Sequence, residues 1–306
     1  MLALLFPGQG SQRPGMGLAW RDHRSWAVVE RIAAATGRDL AVLLTEADAE
    51  TLRATRNAQL AAFGLSMVIL DAARSAGLAE PVVAAGHSLG EYSALVAAGV
   101  LSLEDGARLV AARGEAMQGA AEQLPGTMAA VLGLDPQGVA EACAGVEGAW
   151  VANDNAPGQV VVAGTAEGVA AAGEAARAAG AKRVLPLAVG GAFHSPLMAP
   201  AQEPLDAALA GADFGPASFP VVTNLDATAH TDGWRPLLSG QLASPVRWRE
   251  SLLALGALGV DRFVELGPGS ELSGMVRRTV EGAIRANAAA PEDLPGALAV
   301  SAGTEP

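Results

Sequence analysis

Short apolar runs that end in glycine alternate along this chain with longer stretches that carry apolar residues at every third or fourth position. Residues 2–6 (LALLF) and 81–85 (PVVAA) are two such runs, each followed at once by a glycine-containing turn. This is the pattern of parallel strands buried on both faces. Between them, Ser25 is placed to cap a helix that stops at Gly37, and Asp48 to cap a short acidic one. Leu60, Phe63, Met67 and Leu70 mark a helix over 57–76 that Gly77 ends. After the second run, helices are predicted over 91–98 and from Ser102 onward, with Asp105 in the position of a capping-box acid. Alternating strands and helices place the chain in the α/β class.

The rhythm changes at Thr127. A strand over 128–132 precedes a helix with Asp135 as cap and Pro136 in its first turn, where the missing N–H costs little. Strands at 150–152 and 159–163 flank the polar stretch Asn153-Asp-Asn-Ala-Pro-Gly158; a helix over 165–179 stops at Gly180, and 183–187 is one more strand. The order βαββαβ is that of a ferredoxin-like unit. A small subdomain is therefore expected at 123–188, inserted in a larger α/β domain made of 1–122 and 189–285, with the cleft between the two. A helix from Leu197, a strand at 221–222, helices near 234–256, a strand at 262–266 and a helix from Glu271 complete the large domain. The Ala/Pro/Glu-rich segment 286–306 has no periodic apolar face and reads as a flexible tail.

Composition narrows the class. Of 306 residues 51% are hydrophobic but only 4% aromatic, which suits closely packed helices on a sheet better than base stacking. A formal net charge of -12 repels phosphate backbones, so no nucleic-acid partner is expected and any anionic partner must meet a local basic patch. The single cysteine, Cys143, leaves no internal disulfide or multi-cysteine metal cluster and reads as a small buried apolar residue. The apolar start is too short for a signal sequence and lacks a basic lead, and charges interrupt every stretch that could span a bilayer. A cytosolic protein without a membrane partner is expected.

The candidate chemistry centres on Gly86-His87-Ser88-Leu89-Gly90. Gly-x-Ser-x-Gly between a buried strand and a helix is a nucleophile elbow, in which flanking glycines allow the sharp turn that lifts the serine hydroxyl above the strand end. The Leu89 N–H then faces a developing oxyanion. A bare Gly-Ser turn is the competing reading, and the strand before and helix after argue against it. The base must be one of four histidines. His87 should point away from its neighbour and order the turn; His23 lies among charged residues and His230 in a polar loop. His194, in the flexible turn Gly190-Gly-Ala-Phe-His-Ser-Pro196, is left by elimination. No acid to orient it is evident, and the chain order differs from that of ordinary α/β-hydrolases.

Taken together, Phe6-Pro-Gly-Gln-Gly-Ser-Gln12, Gly86-His-Ser-Leu-Gly-Glu-Tyr-Ser-Ala-Leu95, Arg113, Asn153-x-Asn-x-Pro-Gly-Gln159, Phe193-His194 and Val264-Glu-Leu-Gly-Pro-Gly269 resemble the malonyl-CoA:acyl carrier protein transacylase family. The order and spacing of these motifs, from residue 3 to about 280, carry the resemblance. It implies an α/β-hydrolase-like large domain and a malonyl ester on Ser88, with His194 as base, held by the backbone carbonyl of Gln241 in place of an acid. It implies an oxyanion hole from Gln9 and Leu89. Arg113 becomes the clamp for the free malonyl carboxylate, a role its planar fork of donors suits. Met117, one turn on, lines the acyl pocket or is simply core; Asn155 contacts the active-site loop or only forms a turn. Phe193 with Leu89 resembles the malonyl-selecting polyketide members, whereas Gly190-Gly191 departs from their pattern.

The implied partners are malonyl-CoA as substrate and an acyl carrier protein as thiol acceptor; no cofactor or metal is implied, and a monomer is expected. Lys182 with Arg183, and Arg247, Arg249, Arg277 and Arg278, are the basic residues available to an acidic carrier, or else solvated faces. A serine hydrolase or thioesterase on the same Ser88 and His194, an acyltransferase for another CoA-linked unit, and a non-catalytic carrier-binding module are the alternatives. A carboxylate clamp at Arg113 speaks against the hydrolase.

Overall fold

The computed structural model describes residues 1–304 and contains two sheets. The larger is built from β1 (Leu2–Phe6), β2 (Val83–Gly86), β7 (Val221–Val222), β8 (Ala229–His230), β9 (Arg262–Leu266) and β10 (Ile284–Ala288), in the spatial order β10-β9-β1-β2-β7-β8. All neighbours are parallel except the β7/β8 hairpin. The smaller comprises β3 (Thr127–Leu132), β4 (Ala149–Ala156), β5 (Gln159–Gly164) and β6 (Arg183–Pro186), wholly antiparallel in the order β4-β5-β3-β6. Of its two helices, Pro136–Ala144 carries the expected Asp135 cap, which accepts the Gly138 N–H, and Ala166–Ala178 is capped by Thr165, which accepts the Gly168 N–H. Cys143 is packed into the core of this sheet.

β1 and β2 are entirely buried, and helices cover both faces of the sheet they belong to. The long helix Thr55–Ser75 is buried along nearly its whole length and packs against Leu103–Gln123, which Ser102 caps through the Asp105 N–H. Apolar burial on this scale is the main driving force for the fold, at about 25 cal/mol per Å² of apolar surface removed from water. β1 and β2 pair in register up to Phe6 opposite Gly86. The Pro7–Gln12 loop and the Ser88 turn therefore leave the sheet side by side, at the carboxyl ends of its parallel strands, where open α/β sheets form their binding crevices.

Close backbone approach fixes the turn. A Cβ on Gly90 would lie 2.0 Å from the Phe6 carbonyl oxygen, and one on Gly86 would lie 1.9 Å from the carbonyl of Gly90. Neither neighbour is a side chain that can move aside. Gly90→Ala is expected to cost about 3 kcal/mol or more, or to prevent folding. An unchanged urea midpoint would contradict this close approach.

Three expectations need correction. Residues 286–304 are not a flexible tail: β10 extends the large sheet, and the helix Leu294–Ala302 buries Leu294, Ala297 and Val300. The segment is tied down by Asp293, which accepts from the N–H groups of Ala289 and Ala290 at 2.9 and 2.8 Å, and by the Trp20 indole, which donates to the Ala289 carbonyl at 2.8 Å. Small Ala-rich helical faces lack the apolar–polar contrast that periodicity depends on. The last two residues of that expected tail lie outside the described residues.

Ser25 does not cap the first helix either. His23 accepts the Ser25 N–H on Nδ1, opening a short 3-10 turn over Arg24–Trp26 that runs into the helix Ala27–Thr36. Finally, Asn153-Asp154-Asn155 is strand rather than loop. β4 continues through it with two register shifts, and Val246 bonds along its outer edge, donating to the Ala152 carbonyl at 2.8 Å and accepting from the Asp154 N–H at 2.9 Å. The turn is confined to Pro157-Gly158.

Candidate active site

Ser88 stands between β2 and the helix Gly90–Ala97 with φ at +52°, a left-handed conformation that an L-residue holds only where its surroundings over-determine it. Those surroundings are visible. Asn224, just past β7, accepts the Ser88 N–H on Oδ1 at 2.5 Å and donates from Nδ2 to the Gly86 carbonyl at 2.7 Å. The Gln241 amide donates to the Ser88 carbonyl at 3.1 Å.

The Ser88 hydroxyl lies 2.7 Å from His194 Nε2, and His194 Nδ1 lies 3.1 Å from the backbone oxygen of Gln241. A carbonyl can only accept, so Nδ1 carries the proton and Nε2 is left to take one from Ser88. His194 is itself at φ +57° and is buried. Burial first, and the nearby Arg113 guanidinium second, push its pKa down to about 3. Because the folded value is depressed, the neutral base persists as pH falls well below the ordinary histidine range. The imidazole resonances of His194 should thus report the neutral ring down to about pH 4. A titration midpoint near the ordinary value of 6.5 would contradict the burial seen here.

Arg113 is 1% exposed and reaches the centre from the helix Leu103–Gln123. Its Nη2 donates to Ser88 Oγ at 3.1 Å and to Gln241 Oε1 at 3.0 Å, and Nη1 donates to Gln59 Oε1 at 2.9 Å. Its Nε meets no acceptor among the described residues. The guanidinium carbon lies 5.7 Å from the centre of the Tyr92 ring. Desolvation lowers the arginine pKa, but a guanidinium keeps its charge even so.

A cleft of about 230 Å³ opens over Ser88 between the two sheets. Gln9, His87, Met117, Asn155, Phe193 and His194 all line it, and Leu272 and Met275 add an apolar wall. Arg113 does not: it stands behind Ser88 and Gln59. Leu89 is also fully buried, but neither its N–H nor that of Gln9 meets an acceptor among the described residues. His87 turns away from Ser88, bonding Asn155 Oδ1 through Nε2 at 2.8 Å and packing edge-on to Trp248, so it links the elbow to β4. Asn155 thus touches the nucleophile turn from the smaller sheet.

Three polar residues of this centre were missed in the sequence. Gln59 accepts from Arg113 and donates to Met117 Sδ at 3.1 Å. Asn224 holds the Ser88 backbone, and Glu91, completely buried, accepts the Asn224 N–H at 2.8 Å and the Gln241 amide at 2.9 Å on one oxygen. Glu91 follows the elbow directly, and Gln59 interrupts an apolar helix face; a polar residue in either setting was a usable signal. The basic residues divide as well. Arg249 is engaged with buried Asp154 and Arg247 with Glu250, whereas Lys182, Arg183, Arg277 and Arg278 form no ion pair among the described residues.

Residues 3–299 match the family model described as acyl transferase domain. The chain belongs to the acyl transferase family. This acyl transferase is 44% identical over 285 residues to the malonyl CoA-acyl carrier protein transacylase of Bacillus subtilis, with 90% of each chain covered. It superposes with a TM-score of 0.93 on an acyl-carrier-protein S-malonyltransferase from Burkholderia pseudomallei, at 40% identity over 97% of this chain and 99% of that one. A third relative, 39% identical with a TM-score of 0.92 and covering 97% and 98%, is a malonyl-transacylase solved in complex with its type II PKS acyl-carrier protein. Among the described residues of this acyl transferase, no helix is long and apolar enough to cross a membrane.

Proposed function

We propose that this chain moves a malonyl group from malonyl-CoA, through an ester on Ser88, to the phosphopantetheine thiol of an acyl carrier protein. The observation that carries the reading is the pair of contacts at one oxygen: Ser88 Oγ meets a neutral histidine nitrogen at 2.7 Å and an arginine at 3.1 Å. The first activates a nucleophile; the second suits an acyl group that ends in a carboxylate.

In the first half-reaction the Ser88 hydroxyl proton passes to His194 Nε2 as Oγ attacks the thioester carbonyl. The oxyanion is received by the N–H groups of Gln9 and Leu89, which meet no acceptor among the described residues. Collapse breaks the C–S bond, and His194 returns the proton to the departing CoA sulfur. In the second, the carrier thiol gives its proton to His194, its sulfur attacks the ester carbonyl, and Oγ leaves and is reprotonated. The malonyl carboxylate reaches Arg113 Nη2 by replacing the Ser88 Oγ contact, which acylation weakens in any case. Gln241 holds His194 through its backbone carbonyl, and His87, Asn155, Met117 and Phe193 shape the pocket. The reading needs no cofactor or metal, because malonyl-CoA is itself a substrate, and it suits a cytosolic setting.

We also read the four-stranded unit, residues 123–188, as a ferredoxin-like insert in an α/β-hydrolase-like body; the order β4-β5-β3-β6 supports this. Arg277 and Arg278 lie on the helix whose Leu272 and Met275 line the cleft, so an acidic carrier docked there brings its thiol to the mouth. To test transfer against hydrolysis, the chain is given malonyl-CoA with and without pantetheine. Malonyl-pantetheine forming much faster than free malonate is expected; malonate as the main product in both would mean a hydrolase.

A further inference from the structure

Two buried charges lie in this centre without touching. Arg113 and Glu91 are 1% and 0% exposed, and the side-chain amide of Gln241 lies between them. The amide is held at both ends: Nε2 donates to Glu91 Oε2 at 2.9 Å and to the Ser88 carbonyl at 3.1 Å, while Oε1 accepts from Arg113 Nη2 at 3.0 Å. We propose that Glu91 is a positioning residue for substrate selection: by fixing which end of the Gln241 amide faces Arg113, it sets the orientation of the arginine that selects a carboxylate-bearing acyl group. The inference rests on the malonyl reading above and extends it to a residue that cannot touch the substrate.

The physical argument is one of orientation. A guanidinium grips a carboxylate through two parallel bonds, so a tilt of some 10–20° loses much of the gain. Among the described residues Arg113 has two fixed acceptors besides Ser88 Oγ, namely Gln59 and Gln241. If Nε2 of Gln241 loses its Glu91 acceptor, the amide is held only by the Ser88 carbonyl and Arg113 and is less firmly fixed, and an NH2 group turned toward Arg113 repels it. Glu91 is suited to hold the amide at any pH near neutrality. Burial pushes its carboxyl up to about 7, and Oε1 has no partner among the described residues. With the proton on Oε1, Oε2 still accepts from Gln241 and from Asn224. The role is therefore that of an acceptor in a fixed place, which an uncharged amide oxygen can fill.

Glu91→Leu and Glu91→Gln separate this from a general structural contribution. The readout is the ratio of malonyl-CoA to acetyl-CoA loading on Ser88, measured with the thermal midpoint of each variant. Glu91→Leu should lower the ratio about tenfold or more, a loss of at least about 1.4 kcal/mol of discrimination. Glu91→Gln should restore it to within about threefold of the native chain. A ratio unchanged in both variants, or one as low in Glu91→Gln as in Glu91→Leu, would overturn the inference alone. Should Glu91→Leu fail to fold, the Glu91→Gln ratio decides by itself. A native chain that takes no malonyl group overturns the functional reading, and the inference falls with it.

Discussion

Ser88→Ala should leave a folded chain whose transfer of malonyl from malonyl-CoA to pantetheine falls by about 10⁴-fold or more, the scale on which nucleophile deletions act when the rest of the site survives. The fold should be kept because the turn is fixed by backbone contacts: Asn224 on the Ser88 N–H, Gln241 on its carbonyl, and the close packing at Gly86 and Gly90. Alanine at φ +52° adds no more strain than serine bears already. Circular dichroism and the urea midpoint check the fold, and a thiol-exchange assay checks the rate. Residual transfer near the native rate would mean that the acyl group is carried elsewhere.

Arg113→Ala is expected to lower malonyl loading by about 10²-fold to 10³-fold, since a charge-assisted pair in a desolvated pocket is worth about 2–5 kcal/mol when one partner is removed. Acetyl loading should persist or rise, because acetyl has no carboxylate to pair and the residue leaves space beside Met117. The two substrates must be compared on the same preparation. An equal fall for both would assign Arg113 to holding Ser88, Gln59 and Gln241 in place rather than to recognition.

The contrast between what the sequence revealed and what it hid follows from the range of the interactions. Helices with a wide apolar stripe, such as Thr55–Ser75, and those with a local side-chain cap, such as Leu103–Gln123, were readable because their signals lie within a few residues. The elbow was readable for the same reason, its strand, glycines and serine being contiguous. Asn153-Asp154-Asn155 looked like a loop because its polar side chains are satisfied from far away, Asp154 by Arg249 and Asn155 by His87. Glu91 escaped notice because its partners, Asn224 and Gln241, lie 133 and 150 residues further on. Its burial is stable only once both arrive. The carboxyl-terminal helix was hidden differently: rich in small apolar residues, it shows no face until β9 and β10 of the large sheet supply one.

The central claim, a malonyl ester on Ser88 awaiting a thiol, is tested most directly by intact-protein mass spectrometry of the native chain mixed with malonyl-CoA, before and after adding a phosphopantetheine-bearing acyl carrier protein. The expected result is a single malonyl adduct, absent in Ser88→Ala, that disappears on addition of the carrier as the same mass increment appears there. No adduct, or one released only as free malonate while the carrier stays unmodified, would contradict the account.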